Sequence, residues 1–340
     1  MDFDKLARHD IYLNRLITGL LREQIYPTYE QAYRDIRAIL LDTQEITSKK
    51  QLDAVIRAIE DAVSEPTRKA WETVQIELEN IAIYENEYQS GYYGTVAGAI
   101  GAGVILASPE DKVRSYVNRA IIAMQSGDQA TTGTFWQFIG QHTDKEMQAI
   151  KNQIILGYIN GLTIKEIIDN INKIMNGSIK RDAEGLARTG LAAYANMATE
   201  LMAEENSDII EYRVFSATLD SRTTIGCASL DRKKWKMSDQ SYPRLPRHFR
   251  CRSRYSMLVY GQDGKFDGDR PSKGDETTQL SANTNYEQFL KRQSPDFVRD
   301  VLGVKRANLF LSGQLRLSQF VDMVGRPLTL AELKEKDLID

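Results

Sequence analysis

Both cysteines of the 340-residue chain, Cys227 and Cys251, fall in one stretch with His248, one of its three histidines. His248 and Cys251 are close neighbours (HFRC) and Cys227 lies well upstream. Two near ligands and one distant one is a spacing that zinc accepts, because Zn²⁺ takes four thiolate, imidazole or carboxylate ligands in a closed structural site. Three such ligands are evident here, and Asp220 or a water is the candidate fourth. A Cys227–Cys251 disulfide, which needs an oxidising compartment, and two free thiols are the alternatives. Elsewhere the chemistry-bearing patterns are sparse. No Ser-His-Asp set, paired carboxylates or phosphate loop emerges. Glu85 and Glu87 form a lone ExE on a charged helix, which is weak support for catalysis.

The same stretch is strongly basic. From Arg213 to Arg254 there are eleven Lys and Arg against three Asp, a local charge of +8 in a chain of net −3. Such an island on an acidic protein fits a polyanion, an acidic partner surface, or a solvated arginine-rich loop. Its candidate contact residues are Arg222, Arg232, Lys233, Lys234, Arg244, Arg247, Arg250, Arg252 and Arg254. Arginines without interleaved aromatics would hold DNA through its phosphates, without sequence preference and with strong salt dependence.

These residues carry a resemblance. Asp220, Arg222 and Thr223 (D-x-R-T), then Cys227, LDRKKW, and PRLPRHFRCRS with Pro246, His248, Cys251 and Arg252, resemble the head-morphogenesis domain of the phage Mu F-like minor head proteins. Arg232 stands where that family's loop usually has Gly, Arg244 and Leu245 split its double Pro, and a further Cys often found near the first is absent. Upstream, GYINGLTIKEI is similar to a family element, and ARTG has Gly190 where the family commonly has Glu. Downstream, Tyr286, Phe289, Leu290, Leu302, Gly303, Arg306, Gly313, Leu317, Phe320 and Leu333 are similar to its closing motif. The resemblance implies a minor head protein of a tailed bacteriophage, active in head morphogenesis near the portal. It would be a virion component of the head interior or portal region, assembled in the bacterial host cytoplasm and delivered with or placed against the genome. The implied partners are the portal protein, capsid or scaffolding proteins, and packaged double-stranded DNA. A structural zinc is the cofactor expected from the Cys/His spacing.

The elements that must position these residues follow from periodicity. With 42% hydrophobic and 27% charged residues the chain reads as a globular protein of about two domains. The first ten residues are charged and no apolar core follows, so no signal peptide is expected. Helical spacing runs through Leu13, Ile17, Leu20 and Leu21, with an interruption near Pro27, and then through Leu52, Val55, Ile56, Ile59 and Val63, with a new helix starting at Pro66. Within the glycine-rich Gly91–Pro109 the apolar run Val96–Ala107 is too short to span a bilayer, and the segment reads as a link. Further helices are expected from Lys112 to about Gly127, from Phe135 to Leu156, after a Thr163/Glu166 capping box, and from Arg181 to Glu204. Alternation then marks strands at Glu211–Asp220 and Arg254–Tyr260. The fold class is α+β: a mostly helical N-terminal half, as a bundle or long hairpins, followed by a smaller α+β domain with a short antiparallel sheet. The expected divisions are 1–110 (helical), 111–180 (helical connector) and 181–340 (the Mu F-like domain), with an exposed loop at 261–284 and no stable membrane span.

Two other readings compete. A metal-dependent nuclease of HNH type would use His248 and Cys251 but needs another His or Asn nearby, and His9 and His142 are distant in sequence. A sequence-specific DNA-binding protein needs a recognition helix, whereas the basic residues cluster in a loop.

Overall fold

The apolar stripe that starts at Leu13 winds into two helices, α1 (Phe3–Leu20) and α2 (Tyr26–Thr43), joined by one π-helical turn at Leu21–Ile25. Pro27 has no N–H to return to the preceding turn, so the chain widens there and continues instead of breaking. This computed structural model describes residues 3–126, 129–262, 265–322 and 325–339. After a Ser48 cap, α3 runs unbroken from Lys49 to Ala99, 51 residues. The expected boundary at Pro66 is therefore absent. Pro66 lies on the solvent face, where the carbonyl it orphans meets water, while Val63, Thr67, Ala70 and Trp71 stay packed on the other. The glycine-rich link is half helix: it completes α3, burying Tyr93 and Ala97, before the chain crosses to α4 (Glu110–Arg119).

Beyond α4 the helical expectation fails. Ile122–Ser126 (β1) and Gln129–Gly133 (β2) form an antiparallel hairpin that buries Ile122 and Met124. A short apolar run fits either period, and here cross-strand pairing won. Then α5 (Phe135–Ile159) leads to Gly161, whose φ of +64° ends the run. The capping box is formed as expected: Glu166 N–H donates to Thr163 Oγ1 (3.3 Å) and Thr163 N–H to Glu166 Oε2 (2.8 Å), opening α6 (Ile164–Ile174). A second π turn, Met175–Ile179, feeds α7 (Lys180–Glu205).

Helix α7 is buried on almost every side, as its Ala-rich sequence requires of a central helix. Gly190 is demanded by contact: a Cβ there would sit 2.7 Å from Phe135 Cε2 and 2.8 Å from Leu78 Cδ1. The main core joins Ile17, Ile36, Ile59, Trp71, Leu78, Ile154, Ile171 and Leu191.

The C-terminal region holds two small sheets, so the fold is α+β. In the first, β3 (Ile210–Ser216) lies between β5 (Lys234–Lys236) and β6 (Arg254–Val259), all antiparallel. Between β3 and β5 come β4 (Leu219–Asp220) and a six-residue helix, α8 (Ile225–Leu230). The segment 261–284, read as an exposed loop, contains β7 (Asp269–Lys273) and β8 (Thr277–Ser281); Asp263 and Gly264 fall outside the described residues. Strand β7 pairs in parallel with β4 and buries Arg270 and Ser272. Its polar sequence hid it because the buried side is held by hydrogen bonds: Arg270 reaches Asp231, Ala217 O and Thr284 O. The tail folds as α9 (Tyr286–Leu290), α10 (Pro295–Leu302), α11 (Val304–Leu311) and α12 (Leu330–Glu335) around its own core of Phe289, Leu302, Phe310, Phe320 and Leu333.

Candidate functional site

Helix α7 is the platform for the signature stretch. Thr189 Oγ1 accepts from the backbone N–H of Arg250 (2.9 Å), and Asn196 Nδ2 donates to the carbonyl of Ser253 (3.2 Å). At Gly185 a Cβ would come within 2.6 Å of Arg250 Nε, so a side chain there would push the loop off the helix. From the other side Tyr286 donates to the carbonyl of Asp220 (2.6 Å). Sequence reading missed Thr189, Asn196 and Tyr286 as positioning residues. An Asn inside an Ala-rich helix was the available signal, since Asn competes with helix formation unless its amide has a fixed partner.

The platform brings Cys227, His248 and Cys251 together, with candidate ligand atoms all within 4.8 Å of one another. Cys227 Sγ lies 3.4 Å from His248 Nε2 and 4.0 Å from Cys251 Sγ. The thiols are free and not bonded to each other. A tetrahedral zinc with the usual bond lengths needs S···S of about 3.8 Å and S···N of about 3.5 Å, so the three residues fit the ion. The imidazole is also set for it. His248 Nδ1 is 2.9 Å from the Phe249 carbonyl, which can only accept, so Nδ1 carries the proton and Nε2 offers its lone pair to the sulfurs. The hydrogen bond from Cys227 holds the Cys251 thiol well below its ordinary range against the effect of burial. The same Cys251 partner, with burial, pushes Cys227 up. A metal would replace the proton retained by this pair.

Asp220 is not part of this cluster. Its carboxylate is taken by Arg252 Nη1 and Nη2, by the backbone N–H of Arg222 (3.1 Å) and by Thr223 Oγ1 (3.2 Å). D-x-R-T is thus a self-bonded turn that anchors the end of β4.

Most of the arginines proposed as surface contacts are engaged in building the fold. Arg213, counted in the basic island but not among those contacts, is fully buried, with its guanidinium 3.6 Å from the Tyr242 ring centroid. Arg247 Nη1 donates to Gly226 O (3.3 Å), Arg250 Nη2 to Arg181 O (2.6 Å), Arg244 Nη1 to Glu200 Oε2 (3.3 Å), and Arg254 pairs with Asp10 of α1. Arg232 has φ +67°, the backbone region that favours glycine. Its side chain reaches Ser216 Oγ (3.1 Å) and lies over the Phe266 ring. Burial lowers that guanidinium to about 9. Lys233, Lys234 and Lys236, on and beside edge strand β5, and Arg222, 78% exposed, project outward.

The other histidines are elsewhere: His9 pairs with buried Glu85, and His142 Nε2 with Glu146 (2.8 Å). Glu85 also accepts from Gln89, whereas Glu87 is exposed, so the ExE is split between two helix faces.

Residues 148–256 match the family model of the phage Mu protein F like proteins. The chain carries a Mu F-like region. That region begins inside α5, includes α7, and ends in β6, so it holds Asp220, Cys227, His248, Cys251 and their platform. The closing motif from Tyr286 to Leu333 lies outside the match. Two departures from the Mu F-like pattern acquire causes: Arg232 occupies a glycine-type backbone position, and Gly190 is required by the ring of Phe135. No curated protein and no solved structure matches the chain. The Mu F-like match points to a phage head-related protein and virion component; among the described residues no helix is long and apolar enough to cross a membrane.

Proposed function

We propose that this chain is a minor head protein of a tailed bacteriophage that acts in head morphogenesis at the portal. The observation that carries this reading is the Mu F-like match over 148–256, which coincides with the most elaborately built part of the molecule. In this reading the long helical half presents faces to portal, capsid or scaffolding proteins. A zinc held by Cys227, His248 and Cys251 would lock the signature loop to α7, its role being structural. The surface offered to packaged DNA or to an acidic portal face is Lys233, Lys234 and Lys236 with Arg222, all four of which are exposed.

The test is incorporation. Phage particles assembled with Lys233, Lys234 and Lys236 changed to Ala should retain the chain if it is held by the helical half, but isolated protein should lose DNA retention. Each phosphate contact removed lowers the slope of log K against log salt by about 0.9. Absence of the chain from purified heads would refute the virion role. An unchanged salt slope would refute the DNA contact alone and leave the portal.

A further inference from the structure

His248 and Cys251 form part of the wall of a cleft of about 950 Å³ bounded by α1, α7 and the signature loop. Cations dominate that wall. Arg15, Arg181, Arg222 and Arg250 all line it, and all four are exposed or largely so. Arg188 and Arg254 are matched by Glu184 and Asp10, Arg252 takes both oxygens of Asp220, and Arg181 and Arg222 make only long ion pairs, to Asp182 (4.0 Å) and Asp220 (3.7 Å). Eight arginines line the cleft against three carboxylates, Asp10, Glu85 and Glu184, which leaves it with excess positive charge. Thr224 is on the same wall, its Oγ1 3.2 Å from His248 Nε2.

The metal cluster supplies the second, independent observation. Among the described residues only Cys227, His248 and Cys251 form a metal-ligand group, and Asp220, the expected fourth, is consumed by Arg252. Structural zinc sites close with four protein ligands, whereas three protein ligands leave a position for water or an exogenous ligand. Two of the three ligand residues, His248 and Cys251, line the arginine-rich cleft, so a ligand entering from it meets the cluster on their side.

We infer that the cluster is an anion-binding metal site: a zinc-class ion on Cys227, His248 and Cys251 takes a phosphate oxygen from the cleft, with Arg222 and Arg250 beside it. The ligand class is a phosphate monoester, whose dianion suits both a cation and planar guanidinium donors. A phosphate of this class is a free ion, a nucleotide or a strand end. This inference rests on the metal assignment made above and adds the ligand to it.

Cobalt(II) substitution separates the two. The full-length protein is stripped of metal, loaded with Co²⁺, and its visible d–d bands are followed while inorganic phosphate is added. One Co²⁺ per chain whose bands shift saturably with phosphate is the expected result. Arg222→Gln and Arg250→Gln should each weaken that phosphate response about tenfold, the loss of one charge-assisted hydrogen bond, while leaving Co²⁺ uptake intact. Arg222 is exposed, so that variant keeps its fold. Uptake of Co²⁺ with bands indifferent to phosphate overturns the anion site and leaves the structural metal standing. Failure of the wild type to take up Co²⁺ overturns both. Competition by a 5′-phosphorylated oligonucleotide, but not its dephosphorylated twin, assigns the phosphate to a strand end; competition by inorganic phosphate alone assigns it to a small free anion.

Discussion

Arg252 lays both terminal nitrogens on the carboxylate of Asp220, at 2.5 and 2.8 Å, and so ties the beginning of the signature stretch to its end. Asp220 is buried and Arg252 directly follows Cys251, so the same contact holds one cluster cysteine in place. Burial works against the charge on Asp220, but Arg252 and the N–H of Arg222 outweigh it and hold the carboxyl below its ordinary range.

Arg252→Ala should therefore destabilise the fold by about 2 kcal/mol, less than for a fully buried pair because the guanidinium is partly exposed. Arg252→Lys should restore only part of this, since an ammonium cannot make the two-pronged contact. Because the folded carboxyl titrates below the unfolded one, its contribution is complete above pH of about 4 and is lost as pH falls further. Urea unfolding of both variants between pH 3 and 7 checks this; equal loss at every pH would refute the Asp220 partnership.

Gly190→Ala tests whether packing excludes a side chain at this point of α7. The new Cβ would overlap the Phe135 ring and a Leu78 methyl. Helix propensity favours Ala by up to about 1 kcal/mol, yet overpacking costs about 1–3 kcal/mol, so net destabilisation is expected. Gly190→Glu should be far worse. A rise in the thermal midpoint of Gly190→Ala would show that the α3–α5–α7 contact is looser than described.

Glu200 gives a titration of opposite sign. Burial pushes its carboxyl up to about 7, with Arg244 and Arg213 opposing, and Tyr242 donates to it at 3.0 Å. The folded state thus favours the protonated form. Its contribution is complete below the ordinary Glu value of about 4 and is lost as pH rises through about 7. Glu200→Gln should flatten the stability–pH curve across that window, and a parallel curve would contradict the assignment.

Metal binding should be visible in stability. At a free zinc concentration 100 times Kd the wild type should gain about 2.7 kcal/mol, and chelator should remove it. Cys251→Ser and His248→Ala should carry less than one zinc by elemental analysis and show no chelator response. Wild-type protein with two freely reactive thiols and no bound metal would leave the loop held by α7 and Tyr286 alone.

What could be read from the sequence was local. Helical spacing and the Thr163/Glu166 capping box depend on residues within a few turns of one another, and both appear in the fold. The Mu F-like resemblance was legible for the same reason, as a string of neighbouring residues. The interruption expected near Pro27 is instead a π turn, and Cys227 meets His248 and Cys251 only because the fold closes the loop between them. What only the tertiary structure decided was where each charge goes. Sequence sets the charge of Arg254, Arg270 or Asp220, but solvation or pairing depends on partners elsewhere: Asp10 in α1, Asp231 beyond α8, Arg252 across the loop. A basic stretch read as a contact surface thus becomes, for most of its arginines, internal framework. The polar β7–β8 segment becomes a sheet for the same reason: a buried guanidinium needs acceptors from several distant strands, and only folding assembles them.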